Sequence, residues 1–220
     1  MTAFLTGGSR GIGLSIKETF GREGIDVIAP SRAELDLSNI ESISSYISQN
    51  QELSPDIFVH CAGINELAGI EEISQDSLLR VFQVNVNSAV QLLNSFVPKM
   101  KKKGGGKIVL ISSLYAVVSK ERRLSYTSSK NALTGLCKSL ALELAPFNIL
   151  VNCVAPGYVM TNMTRKNLSE AEIKNIEKNI PTGRFQREEE IADAVCFLCS
   201  EENKSITGQL LAVDGGFLCR

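Results

Sequence analysis

The sequence predicts an α/β fold, in which residues 1–220 form a single domain built on a doubly wound parallel sheet. Short apolar runs typical of buried parallel strands alternate along the chain with longer segments of helical periodicity. Such alternation requires right-handed crossovers, which place helices on both faces of the sheet. The chain has 220 residues, 44% of them hydrophobic, which is enough for one large core without disulfides or metals.

The elements follow one another in strict order. The predicted strands are Thr2–Thr6, Asp26–Ala29, Asp56–Cys61, Lys107–Ser112, Ile149–Ala155 and Gln209–Val213. The predicted helices are 11–23, 39–50, 76–103, 126–146 and 188–200. The longest of them, 76–103, is apolar on more than one side, so we expect the sheet to cover one side and another surface to cover a second.

Charge and hydropathy exclude several functions. Lys and Arg number 23 against 24 Asp and Glu, so the chain lacks the basic excess of a nucleic-acid-binding protein. No apolar run approaches the roughly 20 residues of a membrane helix. The six cysteines lie mostly in apolar stretches and no leader precedes the first strand, which favours reduced thiols in the cytoplasm. We expect no metal site, since Cys196 and Cys199 lie on an apolar helix.

A glycine-rich loop follows the first predicted strand directly and leads into a helix. It reads Thr6-Gly7-Gly8-Ser9-Arg10-Gly11-Ile12-Gly13. Glycines allow the sharp turn and let backbone N–H groups approach a pyrophosphate at the helix N-terminus. In this position the loop predicts a Rossmann-type dinucleotide site rather than a tight turn without ligand. The predicted cofactor-binding residues here are Thr6, Gly7, Ser9, Arg10, Gly11, Ile12 and Gly13.

Further motifs occur in order along the chain. Tyr126 and Lys130 form a YxxxK motif, and Ser113 precedes the tyrosine by thirteen residues. Asn85 lies within Val84-Asn85-Val86, and a PGxxxT turn spans 156–161. Ile206-Thr207-Gly208-Gln209 and Asp214-Gly215-Gly216 complete the set. Together with the TGxxxGxG loop, they span residues 2–217 and resemble the short-chain dehydrogenase/reductase family, especially β-ketoacyl-carrier-protein reductases and similar carbonyl reductases.

The predicted catalytic residues are Ser113, Tyr126, Lys130 and Asn85. Hydride transfer to a carbonyl needs a proton donor, and a free tyrosine has a pKa of about 10. Lys130 lies on the same helical face as Tyr126, where its ammonium would favour tyrosinate. Ser113 can hydrogen-bond the carbonyl oxygen, and only spacing argues against Ser112. The resemblance further implies that Lys130 binds a ribose hydroxyl and that Asn85 holds a water connecting Lys130 to solvent.

The second predicted strand runs into Pro30-Ser31-Arg32, where the resemblance implies that the adenosine ribose is read. Ser31 stands where NAD-preferring relatives usually have an aspartate, and Arg32 and Arg10 could bind a 2′-phosphate. We therefore predict NADP(H) as the cofactor, and Glu34 is the residue that could reverse this preference. The resemblance adds cofactor contacts at Asp36, Leu37, Cys61, Ala62, Gly63, Pro156, Gly157, Val159 and Thr161, besides Tyr126 and Lys130.

Two features depart from the family pattern. The chain passes from Arg32 to Asp36 in a few residues where relatives usually have a crossover helix, so we expect a shortened connection at the adenine end, with Asp36 near the adenine amino group. The family's NNAG turn reads His60-Cys61-Ala62-Gly63. Cys61 lacks the hydrogen bonds of an asparagine amide, so we expect this strand end to be less firmly held. We expect His60 to be a packed residue rather than a catalyst.

The substrate is predicted to be a small carbonyl or alcohol compound. Segment 158–187 carries an amphipathic stretch, Leu168, Ile173, Ile176 and Ile180, suited to a lid. Lys120-Glu121-Arg122-Arg123 either favours an anionic substrate, such as a carrier-protein or CoA thioester or a phosphorylated or nucleotide-linked sugar, or is a solvated loop. The apolar helices 76–103 and 126–146 need covering on their outer sides, and the resemblance implies a dimer or tetramer in which such helices pair across two-fold axes. The alternatives are a reductase of a sugar or nucleotide-linked sugar carbonyl and a non-catalytic nucleotide-binding protein.

Overall fold

The computed structural model describes residues 1–161, 164 and 169–219. Six strands form one parallel sheet in the order β2-β1-β3-β4-β5-β6. They are β1 (Thr2–Thr6), β2 (Asp26–Ile28), β3 (Ile57–His60), β4 (Gly106–Ile111), β5 (Ile149–Pro156) and β6 (Leu210–Val213). Each predicted strand is present, with its ends within one residue of the prediction, and the predicted α/β class is confirmed.

The helices lie between these strands. Their bounds are α1 (Gly11–Arg22), α2 (Ile40–Gln49), α3 (Gln75–Phe82), α4 (Ser88–Lys103), α5 (Leu124–Leu144), α6 (Glu170–Glu177) and α7 (Glu188–Cys199). The prediction of one helix over 76–103 is wrong, because a π-helical turn at Gln83–Asn87 separates α3 from α4. α6 lies in the predicted amphipathic segment, whose Leu168 falls outside the described residues. None of the helices described is long and apolar enough to cross a membrane.

Two apolar cores lie on opposite faces of the sheet. On one face α2, α4 and α5 pack through residues such as Ile43, Phe96 and Leu133. On the other face α1 and α7 pack against the strands and each other through Phe20 and Val195. This arrangement is the doubly wound layering expected from the alternation of strands and helices.

The strand order reverses between β1 and β3, since the chain leaves β1 for β2 on one side and reaches β3 on the other. In open α/β sheets such a switch point forms a ligand crevice at the carboxyl ends of the strands. The expected shortened connection is also present, because residues 29–39 form turns without a helix or strand. α2 then carries the chain to β3.

Candidate active site

The glycine-rich loop packs tightly against the ends of its neighbouring strands. Gly7 has a φ of 73°, and a Cβ there would lie 2.8 Å from backbone atoms of Ala62. A Cβ on Gly13 would overlap the carbonyl oxygen of Gly7, and one on Gly8 would lie 2.9 Å from the Ala29 Cβ. The loop therefore needs glycine at these positions, and it lies beside the ends of β2 and β3 at the switch point.

The N-terminus of α1 lies in this loop and has the features of an anion-binding site. Arg10 precedes the helix in an extended conformation and makes no side-chain cap, and the first turn contains no acidic residue. The first N–H groups of a helix have no partner within it, and its dipole favours negative charge there. Together with the space left by the missing glycine side chains, this helix end fits the pyrophosphate of a dinucleotide.

The hydroxyl of Thr6, at the end of β1, holds the predicted Cys61-Ala62-Gly63 turn. Its Oγ1 accepts hydrogen bonds from the N–H groups of Cys61 (3.1 Å) and Ala62 (3.2 Å). The backbone of this turn is therefore held by Thr6, while the side-chain amide bonds that the expectation concerned have no counterpart at Cys61 among the described contacts. Burial raises the pKa of the Cys61 thiol to about 12, so this side chain stays protonated.

The structure brings Ser113, Tyr126 and Lys130 together at the carboxyl end of β4. The Ser113 hydroxyl lies near the Tyr126 phenol and acts to lower its pKa, and the Lys130 Nζ lies 5.5 Å from the centre of the Tyr126 ring. Lys130 is buried and donates a hydrogen bond from Nζ to the Ile111 carbonyl at 2.7 Å. Ser113 also accepts a hydrogen bond from the Tyr115 N–H at 3.2 Å, which orients its hydroxyl.

Ser112 and Ser113 make different contacts in the structure. The Ser112 side chain is buried, and its hydroxyl donates to the Lys130 carbonyl at 3.0 Å. Ser112 therefore fastens β4 to α5, while Ser113 contacts Tyr126. Consecutive residues of an extended segment point to opposite sides, so only one of the two serines can face the phenol.

The pKa of Tyr126 differs in direction from the sequence expectation. Burial raises it above the ordinary tyrosine value, while the Ser113 hydrogen bond and the Arg123 charge act to lower it. Burial also lowers the pKa of Lys130 to about 8. In the protein alone, desolvation of the phenol outweighs the groups that favour tyrosinate.

Asn85 lies in the π turn and is completely buried. Its Oδ1 accepts from the Ile64 N–H at 2.8 Å, and its Nδ2 donates to the Ile64 carbonyl and the Ser129 hydroxyl, each at 3.0 Å. A Cβ on Gly63 would lie 3.3 Å from Lys130 Nζ and 3.5 Å from Asn85 Oδ1, so both polar atoms border the same glycine. The π turn thus places Asn85 beside Lys130.

At the predicted adenine end, charged side chains pair with one another. Arg32 is highly exposed and lies 3.3 Å from the Asp36 carboxylate. Asp36 also accepts hydrogen bonds from the Ser38 N–H and hydroxyl, which lower the pKa of its carboxyl. The Glu34 carboxylate accepts from the Ser31 N–H at 2.7 Å. Leu37 is buried nearby, and its carbonyl accepts from Gln83.

The predicted PGxxxT turn continues from β5 on the other side of the crevice. The Gly157 N–H donates to the Val213 carbonyl at 3.0 Å, and a Cβ on Gly157 would lie 2.6 Å from the Asp214 Cα. Val159 is buried, and the Thr161 hydroxyl lies 3.0 Å from that of Thr164. Pro156 ends the strand, so this turn borders the same sheet edge as Ser113.

Tyr115 and Tyr158 also border the site, although the sequence analysis did not select them. The Tyr115 and Tyr126 rings meet edge to face at 6.2 Å, and the hydroxyls of Tyr115 and Tyr158 lie 3.5 Å apart. Their positions, two residues after Ser113 and directly after Gly157, are the signal that could have identified them. The three tyrosines form one cluster.

Comparisons with known proteins agree with this geometry. A family model described as enoyl-(acyl carrier protein) reductase matches residues 29–218. The chain is 37% identical to the 3-oxoacyl-(acyl-carrier-protein) reductase FabG of Buchnera aphidicola, over 98% of this chain and 96% of that protein. A Beutenbergia cavernae protein described as an NAD(P)-dependent gluconate 5-dehydrogenase, with NADP bound at low occupancy, superposes with a TM-score of 0.93 at 31% identity, covering 100% of this chain and 97% of the other. A 4-hydroxyisoleucine dehydrogenase mutant complexed with NADH and succinate superposes with a TM-score of 0.94 at 28% identity. The match covers 100% of this chain and 99% of the other.

Proposed function

This chain belongs to the short-chain dehydrogenase/reductase family of oxidoreductases, and we propose that it interconverts a carbonyl and a secondary alcohol with NADP(H), using Tyr126 as the acid and base. The observation that carries the proposal is the convergence of Ser113, Tyr126 and Lys130 beside the dinucleotide crevice. A phenol beside a serine hydroxyl and a buried lysine can exchange a proton with an alkoxide.

The crevice residues would hold the cofactor, which supplies or accepts the hydride when it is bound. The glycine loop and the α1 N-terminus would take the pyrophosphate, and Ser31, Arg32, Asp36 and Leu37 would border the adenosine. The Cys61-Ala62-Gly63 and Pro156–Thr161 turns would border the nicotinamide half, with Lys130 near its ribose.

The chain's own residues divide the proton chemistry between them. Ser113 donates a hydrogen bond to the substrate oxygen, and Tyr126 gives its phenolic proton to that oxygen during reduction. Lys130 stabilises the resulting tyrosinate through its positive charge. The resemblance further implies a water beside Lys130, through which the proton would be restored from solvent; Asn85 could only accept from it, since both amide hydrogens are donated to Ile64 and Ser129.

NADP(H) is the preferred cofactor in this proposal, because Arg32 is exposed and Arg10 makes no cap, so both guanidinium groups can turn toward a 2′-phosphate. Nicotinamide fluorescence titrations with NADPH and NADH test the preference. We expect tighter NADPH binding, weakened about 10-fold in Arg32→Gln with NADH binding unchanged. The Glu34 carboxylate accepts a hydrogen bond from the Ser31 N–H in this structure. Tighter NADH binding would show that it binds the ribose hydroxyl instead.

Two substrate classes follow from the relatives. The Buchnera relative's name indicates a 3-oxoacyl thioester, and the Beutenbergia neighbour's indicates a sugar acid. Assays of NADPH oxidation with acetoacetyl-CoA and with 5-oxogluconate distinguish them. Cofactor binding with no turnover of any carbonyl compound would contradict the proposed reaction and favour the non-catalytic alternative.

We also propose that the protein assembles into a dimer or tetramer. Its six free cysteines favour a cytoplasmic location. An apolar groove runs between α4 and α5, lined by residues including Val90, Val97, Leu136 and Leu140. Light scattering tests the proposal. We expect Val90→Glu to dissociate the oligomer, whereas Lys17→Glu, on the exposed side of α1, leaves it intact. A monomeric wild-type protein would contradict this assembly.

A further inference from the structure

The basic cluster 120–123 does not act as one patch. Arg122 has a left-handed φ of 62° and makes a two-fold ion pair with Glu72, at 2.6 and 2.8 Å. Lys120 is exposed and faces Glu172 of α6. Arg123 instead turns inward, with its guanidinium carbon 5.6 Å from the centre of the Tyr115 ring. One cation of the cluster therefore faces the candidate active site.

Arg123 is half-buried and makes no ion pair and no side-chain hydrogen bond with any residue that the structure describes. Arginine carries five N–H donors in a planar fork suited to an oxyanion with two oxygens. Its guanidinium lies on the Tyr115 ring and keeps these N–H donors available to a bound anionic group. Its neighbours show where that group would lie.

Those neighbours are the tyrosines of the site. Arg123 is the residue immediately before α5 and lies three residues before Tyr126. The Tyr115 ring contacts Arg123 on one side and Tyr126 on another. The Tyr158 hydroxyl, 3.5 Å from that of Tyr115, adds a second phenolic donor. The positive charge of Arg123 also acts to lower the pKa of Tyr126 and of Tyr158.

We propose that Arg123 binds a carboxylate of the substrate, assisted by the Tyr115 and Tyr158 hydroxyls, so that the substrate is a short oxo acid or hydroxy acid. This assignment rests on the proposed carbonyl reduction and narrows its substrate class. Because the Arg123 guanidinium and the Tyr126 ring both contact the Tyr115 ring, we expect only a few atoms between the carboxylate and the reacting carbonyl.

Other anions fit this arrangement less well. A phosphate monoester carries nearly two charges and generally takes more than one cation, but Arg122 is neutralised by Glu72. In a CoA or carrier-protein thioester, the phosphate groups are separated from the carbonyl by the whole pantetheine arm. A single guanidinium fork beside two hydroxyl donors matches the planar, singly charged carboxylate.

Reduction of matched pairs of compounds tests this subsite. NADPH oxidation is measured with acetoacetate and 4-oxopentanoate, with their ethyl esters, and with acetoacetyl-CoA. The proteins are the wild type, Arg123→Gln and the control Arg122→Gln. We expect the wild type to favour an acid over its ester in kcat/KM, and Arg123→Gln to reduce that preference about 10- to 100-fold. Arg122→Gln should leave the preference unchanged.

The outcomes separate this proposal from the reaction on which it rests. Equal losses on acid and ester in Arg123→Gln, or a wild type that prefers the esters or acetoacetyl-CoA, would overturn the carboxylate subsite while the reductase activity stands. Wild-type protein that binds NADPH but reduces none of the five compounds would overturn the carboxylate subsite, and it would contradict the proposed reaction as well if 5-oxogluconate is not reduced either. Cofactor titration and thermal unfolding of each variant show that a lost preference is not a lost fold.

Discussion

Thr6 Oγ1 lies 3.0 Å from His60 Nδ1, across the ends of β1 and β3 at the switch point of the sheet. Because this hydroxyl accepts from the N–H groups of Cys61 and Ala62, its own proton is donated to Nδ1. The ring proton therefore lies on Nε2, which is buried against the π turn near its carbonyl oxygens without a hydrogen bond of good geometry. His60 thus links the crevice to the turn that carries Asn85.

The protonation of His60 predicts a pH dependence of stability. Burial lowers the pKa of His60 from about 6.5 to about 3, so the unfolded chain binds the extra proton more readily. The contribution of neutral His60 to the free energy of unfolding is complete above pH 6.5 and is lost as the pH falls from 6.5 toward 3. Between pH 7 and pH 5 we expect the wild type to lose about 2 kcal/mol more unfolding free energy than His60→Gln, measured with urea. If the wild type and His60→Gln lose the same unfolding free energy between pH 7 and pH 5, His60 is not held neutral in the folded protein.

Thr6 should be sensitive to loss of its hydroxyl. Thr6→Val keeps the shape but leaves two N–H groups and Nδ1 of His60 without their partner, which we expect to cost about 3 kcal/mol of unfolding free energy. Thr6→Ser keeps the hydroxyl and should stay within about 1 kcal/mol of the wild type. Urea unfolding and cofactor titration measure both variants. If the valine and serine variants behave alike, the hydroxyl network does not hold the crevice.

The two adjacent serines should have different effects on kinetics. Ser113→Ala removes the hydroxyl that contacts Tyr126, so we expect kcat to fall about 100-fold with little change in stability. Ser112→Ala removes a buried bond between β4 and the Lys130 carbonyl, so we expect a loss of about 1 kcal/mol in stability and a much smaller change in kcat. Steady-state kinetics with thermal unfolding distinguish the two. A reversed pattern would exchange their roles.

The buried ammonium of Lys130 should lower the stability of the protein while it supports catalysis. Burial lowers the pKa of Lys130 to about 8, below its ordinary 10.5, so keeping it charged at neutral pH costs free energy. This cost is fully present below pH 8 and decreases as the pH rises toward 10.5. We expect Lys130→Met to lower kcat at least 100-fold while its Tm at pH 7 is equal to or above that of the wild type. A large fall in Tm would mean that the bond to Ile111 outweighs the desolvation of the ammonium.

Local patterns predicted most of the fold and the candidate site. Strand ends were predictable to one residue because apolar runs and flanking glycines are local signals. The shortened connection after β2 was predictable from the few residues between Arg32 and Asp36, where relatives usually have a crossover helix. The π turn was not, because one extra residue in a turn barely disturbs helical periodicity, although it displaces Asn85 around the helix axis.

The sequence by itself determined the parallel α/β sheet and the glycine loop at its switch point, since both depend on periodicity and short spacing, and the resemblance to a known family indicated Ser113, Tyr126 and Lys130. Tertiary structure decided which of two neighbouring side chains reaches the site. Ser113 rather than Ser112 contacts Tyr126 because β4 directs alternate residues to opposite sides. Arg123 rather than Arg122 faces the tyrosines because Glu72, fifty residues away, binds Arg122, whose backbone is left-handed.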